Sequence, residues 1–382
     1  ETCSAWRLAW LRSKALAPPP IGPTSKVFEW QLCALAHDPH VLAIDRILVH
    51  RQNSNNQDQT ELHRKAAVLE KYLREQNEDV RVSPLNTDGQ FRLEWAQPAT
   101  PPSVQVVIPS KDKAKLLSQC LQSIDQTCRD HKNLFITVVD HASKEAATTT
   151  LLEDWKKRLK ERFSVLQMGG PFNWSRLNNR AIRMGRTPLV LLLNNDVEAL
   201  QAGWLESMAA QAIRPTVGAV GALLLYPNHR IQHAGIVLGH GEAGGLAEHA
   251  YRGLPSDTLI HRNRTQLLTN WPAVTGACLM VRRTCWKAVG GLDERLPVEL
   301  NDVAFCLRLM NRGWHNLIEP GARMIHHECQ SRDPRNSPSS DAALLKIHKE
   351  FSTLIRKSEP WWPSACSRLQ TDGRPKELST YQ

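Results

Sequence analysis

The sequence predicts an α/β protein built on a doubly wound, mostly parallel sheet flanked by helices. Two patterns support this fold class. From residue 104 onward, short apolar runs alternate with segments of helical spacing, which is typical of strand–helix–strand units. One run, Leu189–Leu193, is apolar throughout, as expected of a parallel strand covered on both faces. Hydrophobic residues make up 41% of the 382 residues, which is enough for a packed core.

The predicted elements of this region follow one another in a regular order. Strands are expected at Val104–Ile108, Leu134–Val139, Phe163–Leu166, Leu189–Leu193, Gly218–Leu225, Ile231–Leu238 and Ala273–Val281. Helices are expected at Ala114–Ile124, Glu145–Arg162, Trp174–Met184 and Val303–Asn311. Nearer the start, helical spacing of apolar residues predicts a helix over Thr60–Glu75, and the alternation of Phe91–Trp95 predicts a strand.

Proline-rich stretches suggest where the chain divides. Residues 1–26 contain three consecutive prolines and are expected to form a linker or a frayed terminus. Prolines at 98, 101 and 102 separate a smaller part at 27–98 from the α/β domain, which we expect at 103–332. Residues 333–382 are expected to form a helical tail.

Composition narrows the class of protein. The net charge of +10 favours an anionic partner such as nucleic acid, anionic lipid or a phosphorylated ligand, although a solvated basic surface would look the same. No nucleic-acid-binding motif supports the first of these, so we expect no nucleic-acid partner. The nine cysteines include no C-x-x-C pair, which favours buried thiols in a reducing compartment over a zinc site.

Polar segments follow three of the predicted strands. They are Pro109–Asp112, Asp140–Ser143 and Asn194–Asp196. Ligands of open α/β sheets bind at the carboxyl ends of the strands, so these segments are the first candidates for a site. Neither a dinucleotide-type glycine motif nor a P-loop follows any strand. Turn or helix-cap roles for these aspartates remain an alternative.

Asp196 is the natural ligand for a divalent cation. Mn²⁺ and Mg²⁺ prefer carboxylate oxygens and keep positions open for phosphate, and Asn195 would add a neutral oxygen. His326 and His327 follow a short apolar segment and could complete the site, or could simply be the polar end of a strand. Asp302 precedes an apolar-faced helix, where it could act as a catalytic base or as a plain helix cap.

An ordered set of motifs extends these observations. They are VVIPSKD at 106–112, VVDHAS at 138–143, GPFNWS at 170–175, NN at 178–179, LNND at 193–196, VGAVGA at 217–222, QHAG at 232–235, VTGACLMVR at 274–282, GGLD at 290–293, NDVAFCLRL at 301–309 and HHECQSR at 326–332. Together they resemble the family 2 inverting glycosyltransferases, which have the GT-A fold with a mixed, mostly parallel sheet.

The resemblance implies a role for each candidate residue. Asp112 and Asp140 would contact the base and ribose of a nucleotide-diphosphate sugar. Asp196 and His326, or less favourably His327, would bind Mn²⁺ or Mg²⁺. Asp302 would be the base of an inverting hexosyl or deoxyhexosyl transfer. The donor site would further include Pro109, Asn178, Asn195, Thr275 and Gly276, with the last two lining the sugar and acceptor pocket.

Two departures from the family pattern leave a second hypothesis open. Ala304 stands where the family usually has a second aspartate, and His141–Ala142 replaces an Asp-Gly or Asn-Gly pair. The alternative is therefore a catalytically weakened module that binds sugar nucleotides. In either case the resemblance implies a glycan or lipid-linked acceptor, polysaccharide assembly at the cell envelope, and a cytoplasmic location with peripheral contact to the inner face of the membrane.

The N-terminal part is similar to the end of a preceding module in tandem glycosyltransferases. The similarity rests on Glu29–Leu35 and Val41–Arg51, which include His50 as the metal-site histidine of that module. Thr60–Glu75 and Phe91–Trp95 would then belong to the linker before the next module. An ordinary helical extension is the alternative.

Overall fold

A computed structural model describes residues 14, 24–36, 59–86, 89–239, 247–258, 263–327, 362, 366–367 and 371–373. The chain divides into two compact units, Glu1–Ala96 and Gln97–Gln382, and each is described by itself. The sequence predictions for His50, for residues 41–49 and for most of 1–26 and 333–382 lie outside the described residues.

The first unit consists of two helices and a β-hairpin. Helix α1 is Thr24–Leu35, α2 is Gln59–Glu75, and the antiparallel hairpin pairs β1 (Val80–Pro84) with β2 (Phe91–Trp95). Ala66 of α2 packs on Val80 and Val82 of the hairpin, so the apolar face that predicted the helix is the face that is buried. The predicted helix and strand are confirmed, and β1 was not predicted.

The second unit is built on one large mixed sheet. Its strands are β3 (Val104–Ser110), β4 (Leu134–Asp140), β5 (Phe163–Gln167), β6 (Leu189–Leu193), β7 (Val197–Ala199), β8 (Val217–Leu225), β9 (Ile231–His233), β12 (Thr269–Trp271), β13 (Cys278–Arg282) and β14 (His315–His326). The main order is β12-β14-β8-β13-β6-β3-β4-β5, with β7 beside β14 and β9 beside β8. A separate antiparallel ribbon pairs β10 (Ile236–Leu238) with β11 (Ala247–His249).

The sheet has a parallel half and a mixed half. Strands β6, β3, β4 and β5 are mutually parallel, as are β8 and β14. Between these groups β13 runs antiparallel to both β6 and β8. Because the four strands of the first group are parallel, their carboxyl ends lie along one edge of the sheet.

Helices cover both faces of this sheet. They are α3 (Ala114–Thr127), α4 (Ala146–Leu159), α5 (Trp174–Met184), α6 (Trp204–Ala212), α7 (Arg283–Ala288) and α8 (Asn301–Asn311). Adjacent residues of one strand enter different cores, because side chains alternate along a strand. Val107 packs with α5 and α8, whereas Val106 and Ile108 pack with α3 and α6. The predicted α/β fold class, a mixed sheet flanked by helices with a small helical N-terminal extension, is confirmed.

Two predicted strands are wrong in extent. Ile231–Leu238 was predicted as one strand, but it breaks at Ala234–Gly235 into β9 and β10. Gly235 has φ +121°, and a Cβ there would lie 2.2 Å from the Trp271 indole, so close packing on this tryptophan forces the turn. Ala273–Val281 was predicted to be extended throughout, but β13 begins only at Cys278, and Val274–Ala277 forms a buried loop.

The described cysteines of the domain behave as buried apolar residues. Cys120, Cys278 and Cys306 are fully buried, and burial raises the pKa of all three thiols, that of Cys278 to about 12. Thiols that stay protonated are poor nucleophiles and poor metal ligands. These three cysteines therefore serve packing.

Candidate functional site

The three polar segments predicted from the sequence meet at one edge of the sheet. Ser110 at the end of β3 is in register with Asp140 at the end of β4. From the loop after β6, the Asn195 amide donates to Ser110 Oγ over 3.0 Å. Asn195, Asp140 and Pro109 are all buried at this edge. The carboxyl ends of three parallel strands thus form one polar surface.

Asp112 and Asp140 are joined through Ser143. The Asp112 N–H donates to Ser143 Oγ over 2.7 Å, and the Ser143 hydroxyl donates to Asp140 Oδ1. Asp112 Oδ1 accepts from the N–H groups of Glu145 and Lys144 at the start of α4, over 2.9 and 2.6 Å. These two hydrogen bonds hold the pKa of the Asp112 carboxyl below its ordinary value. Glu145 is the N-cap of α4 and Lys144 precedes it, so of the two alternatives left open Asp112 shows a turn role rather than a helix cap.

The turn after β4 is strained by its alanine. Ala142 has φ +53°, the left-handed region that glycine adopts without steric cost, and a side chain there costs about 1–2 kcal/mol. The preceding residue, His141, is 5% exposed, and its Nε2 donates to the carbonyl of Gly170 over 2.9 Å. The His141–Gly170 hydrogen bond ties this turn to the loop after β5.

Asp196 and His326 converge at the end of β6. His326 Nε2 lies 3.2 Å from Asp196 Oδ1, and both side chains are buried. The His326 Nδ1 lies 2.7 Å from Gln232 Oε1, and since an amide oxygen only accepts, Nδ1 carries the proton. In the neutral ring the lone pair of Nε2 then faces the carboxylate.

These two groups fit a divalent cation. Asp196 Oδ1 and His326 Nε2 lie within ion-pair distance but are not aligned for a hydrogen bond. Asp196 Oδ1 therefore has no hydrogen-bond donor among the described residues. Two ligands with bonds of ~2.1 Å at right angles are about 3.0 Å apart, close to the observed separation. Mg²⁺-like ions are usually held by one or two protein ligands together with phosphate oxygens. The described residues include no group of three or more His, Cys, Asp or Glu that could hold a metal ion.

His327 is directed to a different partner. Its Nε2 lies 2.7 Å from Glu198 Oε1, and its backbone N–H donates to the carbonyl of Asp196 over 3.0 Å. Neighbouring residues of a strand point to opposite sides, so only one of the two histidines can face the Asp196 carboxylate. The structure brings His326 to Asp196 and pairs His327 with Glu198.

Asp302 faces the loop before β13. Its Oδ2 accepts from the Gly276 N–H over 2.8 Å, and its Oδ1 accepts from the Val303 N–H over 2.8 Å. Leu300 occupies the N-cap position of α8, without a side-chain cap, so Asp302 is not a plain N-cap. The carboxylate is half-buried and oriented by two backbone donors.

The Thr275–Gly276 loop packs beneath Trp174. The Trp174 indole N–H donates to Asn194 Oδ1 over 3.3 Å, which connects this loop to the segment carrying Asp196. Asn178 lies one turn further along α5, donates to the Trp174 carbonyl over 2.9 Å, and leaves its own Oδ1 without a donor among the described residues. Of the predicted donor-site residues, Gly276 therefore lies against the Trp174 indole, and Asn178 lies one turn along the same helix as this tryptophan.

Gly276→Ala is expected to lower both stability and activity. A Cβ at this position would lie 2.6 Å from Trp174 Cη2, so the loop or the indole must move. Overpacking of this kind costs about 1–3 kcal/mol of unfolding free energy. Gly169→Ala is the matched control, because a Cβ there meets nothing within 4 Å. Thermal unfolding and turnover of both variants test this, and equal values would contradict it.

Ala304 replaces the expected second aspartate by a buried apolar residue. It is 4% exposed and packs in the core on one face of the sheet. Its carbonyl accepts from Arg308 Nε over 3.2 Å, and the guanidinium also donates to Val289 and Gly291 carbonyls. Packing of Ala304 and the hydrogen bonds of Arg308 therefore hold helix α8 in place without a carboxylate at position 304.

Several residues of this site have no role in the sequence prediction. Gln232, His233, Trp174 and Glu198 all contact a candidate residue or its loop. The only sequence signal was that Gln232–His233 and Trp174 lie inside motifs of the family resemblance. Their side-chain partners are distant in sequence, so spacing alone could not reveal them.

The chain is similar in sequence to several known proteins. The model of Glycosyl transferase family 2 matches residues 105–285. An uncharacterized protein of Sinorhizobium fredii is 38% identical over 70% of this chain and 28% of its own length. An O-antigen biosynthesis protein of Myxococcus xanthus is 35% identical over 80% of this chain and 23% of its own. An N-acetylglucosaminyl-diphospho-decaprenol L-rhamnosyltransferase of Mycobacterium tuberculosis is 29% identical over 45% of this chain and 57% of its own.

The chain spans 28% and 23% of the length of the first two relatives, so both are much longer proteins. The match at 105–285 covers β3 to β13 and includes Asp112, Asp140, Asp196 and the Gly276 loop. Through this domain the chain belongs to glycosyl transferase family 2.

Proposed function

We propose that the domain at 103–332 transfers a hexose or deoxyhexose from a nucleotide-diphosphate donor to a hydroxyl of a glycan or lipid-linked acceptor, with inversion. The observation that carries the proposal is the buried Asp196–His326 pair, 3.2 Å apart, at the carboxyl edge of the sheet of a family 2 domain. A carboxylate oxygen without a hydrogen-bond donor is costly in a protein interior, and a bound cation would offset that cost.

Asp196 and His326 would hold Mn²⁺ or Mg²⁺ on the donor diphosphate. When bound, such an ion neutralises the negative charge that develops on the leaving diphosphate. Gln232 keeps the His326 proton on Nδ1, which leaves Nε2 free as a ligand. His327 is not proposed to share this role, because Glu198 holds its Nε2.

Asp302 would act as the general base. In the proposed step the acceptor hydroxyl gives its proton to the Asp302 carboxylate while the acceptor oxygen bonds to the anomeric carbon. The bond from that carbon to the diphosphate oxygen breaks on the opposite side, which inverts the configuration. The N–H groups of Gly276 and Val303 orient the carboxylate for this transfer.

The nucleotide would lie along the ends of β3 and β4. Asp140 and Asp112 are proposed to contact the base and ribose, and Pro109, Asn178 and Asn195 are proposed to belong to the same donor site. The two hydrogen bonds that link Asp112, Ser143 and Asp140 support this, because they join the ends of β3 and β4 into one polar surface. Asp112 would do so while also accepting from the Glu145 N–H just before α4.

The relatives suggest the biological setting. Their names refer to O-antigen biosynthesis and to rhamnosyl transfer onto a decaprenol-linked sugar. We therefore propose a role in polysaccharide assembly, in the cytoplasm at the inner face of a membrane. The net charge of +10 supports contact with anionic lipid. No helix in the described ranges is long and apolar enough to cross a membrane.

The N-terminal part is proposed to be the end of an upstream module, at 27–98, followed by the linker to this domain. The much greater length of the first two relatives supports a multi-module protein. Helix α1 begins at Thr24, inside the predicted linker at 1–26, so the proposed linker lies before that residue. Trp362 and Cys366, inside the predicted tail at 333–382, are buried in a core of the domain.

The full chain should be incubated with a panel of nucleotide-diphosphate sugars, with and without Mn²⁺, and the released nucleoside diphosphate measured. We expect one donor to be consumed in a metal-dependent reaction. Donor binding without release in the presence of varied glycan and lipid-linked acceptors would instead support the weakened module, for which Ala304 is the motivating feature. Absence of both binding and release would contradict the proposed function.

A further inference from the structure

Strand β9 carries two consecutive buried polar residues. Gln232 is 3% exposed and His233 is fully buried, and β9 pairs with β8 at the periphery of the main sheet. Burying two adjacent polar side chains costs folding free energy unless both are hydrogen-bonded. Because consecutive side chains of a strand point to opposite sides, the two residues can reach two different parts of the site.

Gln232 reaches the proposed metal ligand. Its Oε1 lies 2.7 Å from His326 Nδ1, and it therefore fixes the ring in the tautomer whose Nε2 lone pair faces Asp196. Without this acceptor, neither the ring orientation nor the proton position would be held. Partners of this type commonly tune the affinity of a histidine for its metal.

His233 reaches the loop that holds the proposed base. Its Nε2 accepts from the backbone N–H of Thr275 over 3.2 Å, so Nδ1 carries the proton and donates to His249 Nδ1 over 2.9 Å. Burial, with smaller contributions from His249 and His326, holds the His233 pKa well below its ordinary value, so the ring stays neutral. The next residue of the loop, Gly276, donates to Asp302.

We propose that β9 positions both halves of the reaction centre, with Gln232 orienting the metal ligand His326 and His233 orienting the loop that holds the base Asp302. This inference rests on the proposed function. It makes Gln232 and His233 positioning residues, acting through His326 and through the Thr275–Gly276 loop. Each should therefore control a different measurable property of the enzyme.

The test compares paired substitutions in the full chain. Gln232→Leu removes the acceptor from His326, whereas Gln232→Glu keeps one. His233→Leu removes the acceptor from Thr275, whereas His233→Gln can place Oε1 where Nε2 was. For all four, we would measure Mn²⁺ affinity in the absence of donor by calorimetry, thermal unfolding, and kcat and KM with the sugar nucleotide that the donor panel identifies.

Gln232→Leu is expected to weaken Mn²⁺ binding about 10–100-fold, with Gln232→Glu within a few-fold of the parent. His233→Leu is expected to lower kcat by about 10–100-fold, with donor KM and Mn²⁺ affinity nearly unchanged, and His233→Gln to restore most of the loss. Both leucine variants could instead lose Mn²⁺ affinity, kcat and thermal stability together, without rescue by Gln232→Glu or His233→Gln. That result would contradict the proposal and show that β9 has a purely structural role. Unchanged values in both leucine variants would overturn the proposal outright.

The failure of this proposal can be told from the failure of the proposed function. If the parent chain neither binds Mn²⁺ nor consumes any donor, the proposed function is wrong. If the parent does both and the leucine variants behave like it, only the role of β9 is wrong.

Discussion

Asp302→Asn is expected to reduce turnover by about a thousand-fold while leaving donor binding close to that of the parent. A positioned general base contributes about 10²–10⁴-fold, and the amide of asparagine cannot accept the acceptor proton at neutral pH. The substitution also replaces one carboxylate oxygen by an NH₂ group. That group cannot accept from either the Gly276 or the Val303 N–H, so one of these two hydrogen bonds is lost.

Donor binding should survive because the proposed nucleotide and metal groups lie on other elements. Asp140 ends β4 and Asp196 follows β6, whereas Asp302 lies in the first turn of α8. The measurement is kcat and KM with the identified donor, together with the affinity for the nucleoside diphosphate in Mn²⁺. Asp125→Asn is a suitable control, because Asp125 pairs with Arg158 between α3 and α4. Full turnover in the Asp302→Asn variant would refute the base assignment.

Asp196→Asn is expected to weaken Mn²⁺ binding by at least about 100-fold and to abolish measurable transfer. The substitution removes the one carboxylate that faces His326 Nε2, and an amide is a much weaker ligand for such an ion. Thermal stability should not fall in the metal-free protein, since the lost group is a buried carboxylate oxygen without a donor among the described residues. A loss of function with equal or higher stability would separate metal binding from folding.

The two neighbouring histidines supply the controls for this prediction. His326→Ala should also weaken Mn²⁺ binding, whereas His327→Ala should leave it within a few-fold, because His327 contacts Glu198. Calorimetric titration with Mn²⁺ alone tests all three variants without any sugar nucleotide. If His327→Ala rather than His326→Ala loses the metal, the assignment of ligands made from the 3.2 Å separation is wrong.

The choice between these histidines marks the limit of the sequence prediction. Both follow an apolar segment, and their sequence positions differ by one residue. Which one faces Asp196 depends on the pairing of β14 with β7, where His326 lies opposite Val197. That register is a tertiary property, because it is set by strands more than a hundred residues apart in the chain.

Other elements could be predicted from the sequence because their local residue pattern matches their environment in the fold. Leu189–Leu193 is uniformly apolar and is the central strand β6, so Asp196 was correctly expected just after a buried strand. The break within Ile231–Leu238 could not be predicted, because an isolated glycine inside a strand pattern indicates a bulge or a close backbone contact as readily as a turn. Only the packing of Gly235 on Trp271 shows why the chain must turn there.

The central position of β13 has a consequence for how the site is assembled. This antiparallel strand joins two parallel groups, with β6 on one side and β8 on the other, and the Thr275–Gly276 loop immediately precedes it. Residues proposed to recognise the nucleotide come from one group, whereas α8 and the β8–β9 region form the surroundings of the base. The proposed metal ligands come from both groups, because Asp196 follows β6 whereas His326 ends β14. A shift of one group of strands against the other across β13 would therefore change the 3.2 Å separation between Asp196 Oδ1 and His326 Nε2.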